Sequence, residues 1–330
     1  MTIDVDPIIG KLGPLEFRWY GVIMAIAVMV GVWVMSRQLK ARGIDPEHAL
    51  GIAVFGIPLG IIGARLVHVL DHLGYYIDNP GKIIGIRLVG LAIYGVVAGG
   101  LLGLILYCKW RKLSVWRVVD STALAFPVSQ IIGKCANIIN GDTWGGATDL
   151  PWGITYTNPE SFIDSRLLGV ATHPTPIYEQ IWLLVVVAAL LLTMKRLRKV
   201  DGLAILSYVW LYSVGRFAIS FWRENEEMLW GLNEAQVIAA VMIVLVPFVA
   251  YWRIRRARRQ PVAAKSAAGK KHKEIDSKDG KPLVQKGESK AKAGKSAEAK
   301  AGFEGSKEER EDGPLKRFVR RVKVTIRGED

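Results

Sequence analysis

A seven-span, all-α membrane fold is predicted by three observations. Half of the 330 residues are apolar (51%) and mean hydropathy is positive (+0.24). The apolar residues gather in runs long enough to cross a bilayer, and Lys and Arg collect in every second connection between those runs. Such a composition argues against an ordinary soluble domain. With about twenty apolar residues needed per crossing, spans fall near 17–36, 50–70, 88–108, 118–140, 177–194, 202–221 and 235–252.

The acidic start MTIDVDPIIGKLG has no basic region ahead of the first run, and that run is too long for a signal-peptide core, so the first helix is expected to be retained. Arg37, Lys40 and Arg42 follow the first span, and Lys109, Arg111, Lys112 and Arg117 join the third to the fourth. Lys195, Arg196, Arg198 and Lys199 follow the fifth, and a RIRRARR run follows the seventh. Under the positive-inside rule these segments are cytoplasmic. The N-terminus then lies outside, the C-terminus lies in the cytoplasm, and the connections 71–87, 141–176 and 222–234 face outward.

The second span carries Gly56, Gly60 and Gly63, followed by Arg65, His68 and His72; Arg65 and His68 have Asp71 or the outer connection as partners, in a structural or a functional role. The third carries Gly95, Gly99 and Gly103 beside Tyr94. A stripe of small residues lets a second backbone approach; a groove for a lipid tail is the other reading. Asp120, Gln130, Lys134 and Asn137 interrupt the fourth span, for which a buried or partly re-entrant helix is the alternative. Gln130, Lys134, Asn137 and Gly141 share one helical face there. In the sixth span Tyr208, Tyr212, Arg216 and Ser220 form a second polar stripe, with Arg223 near the same line. Charged residues inside a span are expensive and commonly functional, and two cations on separate helices can grip one phosphate. Arg223 and Glu224 read as a surface ion pair.

Ahead of the fifth span, HPTPIYEQ uses two prolines to set an extended approach. Glu179 then falls in the first helical turn, where a carboxylate suits the helix dipole, and reads as a cap. His173 is a candidate base by residue type, although a lone histidine in a loop is more often a hydrogen-bonding strut. Trp19 and Tyr20 read as interfacial aromatics. Cys108 and Cys135 show neither metal-ligand spacing nor a disulfide framework.

The net charge of +14 resides almost wholly in the tail: residues 253–330 hold 24 Lys and Arg against 12 Asp and Glu, which leaves +2 for residues 1–252. The division is therefore a seven-helix membrane domain over 1–252 and a basic, low-complexity cytoplasmic tail over 253–330. The tail is expected to be disordered and drawn to anionic lipid headgroups. No motif supports nucleic-acid contact.

WYG at 19–21, GARL at 63–66, GKCANIINGDTWG at 133–145, HPTPIYE at 173–179 and YSVGRFAISFWRE at 212–224 together resemble the prolipoprotein diacylglyceryl transferases of bacterial plasma membranes. The resemblance covers roughly residues 1–252. It implies transfer of diacylglyceryl from phosphatidylglycerol to the lipobox cysteine of a prolipoprotein, with release of glycerol 1-phosphate and no metal or cofactor. Tyr20, Asn137, Gly145, Tyr212 and Arg216 match positions the family treats as functional. Lys134 stands where the family usually has arginine, Asp142 where it has glutamate, Tyr94 where it often has histidine, and Ser220 where it has an acidic residue. The implied roles are Lys134 and Arg216 on the phosphate, Asn137 on the headgroup, Tyr20 and Tyr212 as donors, and Asp142 positioning a cation or the lipobox. Tyr94, then His173, are the candidate bases, although a thiol beside cations ionises readily without one. A lipid or solute transporter and an inactive lipid-binding relative are the competing readings.

Overall fold

The structure, a computed structural model, describes residues 1–13, 15–83, 93–224 and 227–276. Among these residues, seven helical segments are long and apolar enough to cross a membrane. In chain order the helices are α1 (Trp19–Lys40), α2 (His48–Asp71), the short α3 (Leu73–Asp78), α4 (Ile93–Trp110), α5 (Val115–Thr122), α6 (Ala125–Asn140), α7 (Thr175–Leu197), α8 (Leu203–Ile219) and α9 (Glu234–Asp276). The start of the expected third span, 88–92, lies outside the described residues. The last helix runs past the expected limit of 252 to Asp276, so the stretch expected to lack structure from Arg253 begins as helix. The remaining tail, 277–330, lies outside the described residues.

The expected fourth span is two helices. α5 and α6 meet at a turn around Ala123 and Leu124, and the break explains how Asp120 sits within an apolar stretch. Its carboxylate accepts the backbone N–H groups of Gly202 (2.8 Å) and Ile205 (3.0 Å), donors that the start of α8 cannot satisfy internally. Arg42 Nη2 pairs with it at 3.0 Å. One buried acid thus ties the α1–α2 connection, α5 and α8 together. At the same end of α8, Arg253 of α9 donates to the Asp201 carbonyl and lies over the Trp116 ring.

The glycine stripes of α2 and α4 face one another. A Cβ placed on Gly103 would lie 2.8 Å from Gly56 Cα and 2.8 Å from the Phe55 carbonyl, so backbone fills the space and the packing reading holds over the lipid-tail groove. Arg65, beyond the stripe, donates to the carbonyls of Ile83 (3.0 Å) and Lys82 (2.6 Å) and covers the Tyr76 ring. The rings of His68 and His72 lie 4.4 Å apart.

The spans are helical, and short strands lie in the N-terminal segment and in the connections between them. β1 (Thr2–Ile3), β4 (Ile154–Tyr156) and β5 (Ala171–Thr172) form a three-stranded sheet in the order β1-β4-β5, with β1 parallel to β4. β2 (Ile8–Leu12) pairs with β3 (Leu15–Arg18), and β6 (Glu227–Leu229) with β7 (Leu232–Asn233). Ile3, Ile154, Tyr156 and Ile163 form a small apolar core with Ile138, Trp144 and Ile177 against it. This core seats the N-terminal segment and the 141–174 connection on the ends of α6 and α7.

Candidate active site

The polar stripes of α6 and α8 both turn toward α7. At one level Tyr208 donates its hydroxyl to Gln130 Oε1 at 2.9 Å, joining α8 to α6 directly. Further along both helices, Glu179 of α7 stands between Lys134 and Arg216. Lys134 Nζ pairs with Glu179 Oε2, and Arg216 Nη1 donates to Glu179 Oε1 at 2.6 Å. Arg223, which follows the 3₁₀ turn at Ser220–Trp222, reaches Oε1 at 3.5 Å.

Two expectations are corrected here. Glu179 is not in the first turn of its helix and caps nothing; it is 7% exposed and is the carboxylate on which three cations converge. Arg223 is not paired with Glu224 at the surface but belongs to the same cluster. The signal was present as a glutamate among the apolar residues of a span, and a helix-end rule concealed it. Ser220, where an acid was expected from the resemblance, is buried and donates to the Arg216 carbonyl at 2.7 Å.

A second polar group lies just beyond α6. Gly141 takes the left-handed conformation that ends that helix (φ +71°). The chain then doubles back, so that Asn137 Nδ2 donates to Asp142 Oδ1 at 2.6 Å and Asn140 Nδ2 to Oδ2 at 3.3 Å. Burial pushes the Asp142 carboxyl above the ordinary carboxylate range, and these two amide hydrogen bonds pull it back only in part. Tyr20, at the start of α1, lies within electrostatic range of Asp142. Thr143 has φ +61°, costly for a β-branched residue, and its carbonyl accepts from Thr175 Oγ1 at 2.5 Å.

Gly145 is required by close approach. Its N–H bonds to the His173 carbonyl (3.2 Å), it bridges to Arg223, and a Cβ would lie 2.7 Å from His173 Cβ and 2.5 Å from the Trp222 carbonyl. The turn holding Asp142, the approach to α7 and the segment carrying Arg223 therefore touch through one residue without a side chain.

The remaining sequence candidates are spread around this centre. Tyr212 lies on α8 within electrostatic range of Glu179, Arg216 and Arg223. Tyr94, 42% exposed on α4, lies beside Glu234 at the start of α9 and within range of Arg216 and Tyr212. His173 points elsewhere. Its Nδ1 is 3.4 Å from the Tyr178 hydroxyl, which also accepts from Trp152 Nε1 at 2.9 Å. Among the described residues, His173 forms no side-chain bond to the cations or to Asp142, and no three His, Cys, Asp or Glu side chains gather as a metal group.

Fold and site together define a multi-pass membrane protein with a buried cluster of cations around one carboxylate, set between three spans. Two independent cations, one a point charge and one a planar fork, suit a phosphate. Over residues 7–252 the chain matches the family described as Prolipoprotein diacylglyceryl transferase, and it belongs to that family. It is 37% identical over 240 residues to the phosphatidylglycerol–prolipoprotein diacylglyceryl transferase of Clostridioides difficile, covering 73% of this chain and 92% of that one. The proteins of the same name from Symbiobacterium thermophilum (34% over 254 residues, 76% and 94% covered) and Dehalococcoides mccartyi (36% over 266 residues, 80% and 98% covered) are similar over the same extent.

Proposed function

We propose that this chain transfers diacylglyceryl from phosphatidylglycerol to the lipobox cysteine thiol of prolipoproteins, forming a thioether and releasing glycerol 1-phosphate, the first step of bacterial lipoprotein maturation. The observation that carries this reading is the single buried carboxylate held by Lys134 from α6 and Arg216 from α8. Two cations that share one anion in this way can share the phosphate of a lipid headgroup.

The attacking group is the substrate's own sulfur, so the protein holds the phosphate, stabilises the charge that grows on it and orients the two reactants. Lys134 and Arg216 take the phosphate oxygens. Asn137 orients the headgroup, Tyr20 and Tyr212 donate hydrogen bonds to it, and Asp142, fixed by Asn137 and Asn140, positions the lipobox segment. Gly145 keeps the Asp142 turn against the Arg223 segment. Tyr94 lines the approach from α4, and His173 is a strut between the 171–173 segment and Tyr178.

The distribution of Lys and Arg supports a bacterial plasma-membrane orientation with this site at the outer leaflet and the basic tail against the anionic inner leaflet. The test is transfer of labelled diacylglyceryl from phosphatidylglycerol to a lipobox peptide by the purified chain in detergent. A thioether product supports the reading, and flux of lipid across vesicles without product overturns it in favour of a transporter.

A further inference from the structure

We propose that Glu179 is the proton acceptor for the substrate thiol, held inactive by Lys134 and Arg216 until a lipid phosphate takes those cations away. The proposal rests on the transferase reading above and adds to it a coupling between lipid binding and base activation.

Glu179 bonds to both phosphate-binding cations, one through each carboxylate oxygen. A phosphate that engages Lys134 and Arg216 competes with the carboxylate for both cations. The groups that face Glu179 are Lys134 on α6, Tyr212 and Arg216 on α8, and Arg223 after it. Of the three ion pairs, the Arg223 contact at 3.5 Å is longer than the 2.6 Å one from Arg216. Once the nearer cations turn to phosphate, the carboxylate is left buried with one long ion pair. A buried carboxylate short of partners binds a proton more readily than one held by cations. The other candidates lack this placement: Tyr94 lies beside Glu234, and the His173 ring is engaged by Tyr178.

The step balances as follows. The thiol proton passes to Glu179, and the sulfur electron pair attacks the diacylglyceryl carbon that carries the phosphate ester oxygen. The C–S bond forms as the C–O bond breaks, and the released pair stays on the phosphate oxygen between Lys134 and Arg216. The proton on Glu179 then passes to the departing glycerol 1-phosphate, which restores the carboxylate and its two ion pairs. No oxidant or metal enters.

The test uses the full chain in detergent with phosphatidylglycerol and a lipobox peptide, comparing the parent with Glu179→Gln and Glu179→Asp across pH 6 to 9. Lipid binding and single-turnover transfer are read separately. Glu179→Gln is expected to bind phosphatidylglycerol at least as tightly as the parent, because the amide no longer competes for the cations. Its transfer at pH 7 is expected to fall by about 100-fold or more, and the residual rate to climb about tenfold per pH unit toward the thiol pKa near 8.5. Glu179→Asp keeps an acceptor and is expected to retain the flatter parental profile. Parental rate and profile in Glu179→Gln would overturn the proposal. Joint loss of lipid binding in both variants would also do so, since it would make Glu179 only a strut for the cations. Should Glu179→Gln fail to fold, the parent decides: a parental rate climbing tenfold per pH unit from pH 6 means the thiol ionises without an acceptor. A parent that forms no thioether at any pH sinks the transferase reading itself.

Discussion

Arg216 and Glu179 meet across the gap between α8 and α7, Nη1 to Oε1 at 2.6 Å, with Lys134 on the other carboxylate oxygen. Cation, acid and cation therefore join three helices. Breaking a buried pair by removing one partner costs several kcal/mol. The ion pairs brace α6, α7 and α8 against one another.

Arg216→Ala is expected to lower transfer by about 100-fold or more, as removing a preorganised charge at a developing anion does. Lys134→Ala should behave likewise, while Lys134→Arg keeps the charge and should retain activity. Labelled-lipid transfer to a lipobox peptide, with size-exclusion profiles to verify folding, measures all three. Most of the activity surviving in Arg216→Ala would contradict the phosphate role.

Gly145→Ala places a methyl group 2.7 Å from His173 Cβ, so the Asp142 turn and the His173 segment must separate. Overpacking of this kind costs about 1–3 kcal/mol. A lower melting temperature and reduced transfer are expected together; a variant that melts and transfers like the parent would mean that the three segments are not held in register there.

The raised Asp142 carboxyl carries a pH dependence. It binds its proton more readily in the folded than in the unfolded chain. Its contribution to stability is therefore fully present below the unfolded value of about 3.9 and is lost as pH rises through the folded value. Asp142→Asn, always neutral, should be the more stable protein at pH 7, and its advantage should vanish toward pH 4. Thermal melts of both proteins across that range decide the matter, and a variant less stable at pH 7 would reverse the sign.

Asp120→Ala removes the cap of α8 and leaves Arg42, whose side chain is buried, without that partner. Loss of about 3–5 kcal/mol is expected, with transfer preserved in whatever fraction remains folded. Specific activity corrected for folded protein tests this, and a selective loss of turnover would give Asp120 a role beyond structure.

Much of the architecture was legible in residue order because the bilayer imposes it. Span length and the placement of Lys and Arg follow from the cost of polar backbone and charge in hydrocarbon, and these predict seven crossings without reference to any contact. Lys134 and Arg216 were legible for the same reason, as charges in spans with too few neighbours along the chain to explain them. The break between α5 and α6 was not, because Asp120 earns its place from the backbone of α8, more than eighty residues away in sequence.

Glu179 shows the division most sharply. The sequence by itself determined that a carboxylate enters the fifth span close to its start, where proximity to a helix end made capping the natural reading. Only the tertiary structure decided that α6 and α8 bring Lys134 and Arg216 to it, because ion pairing depends on distances through space that helical periodicity sets within one span and packing alone sets between spans.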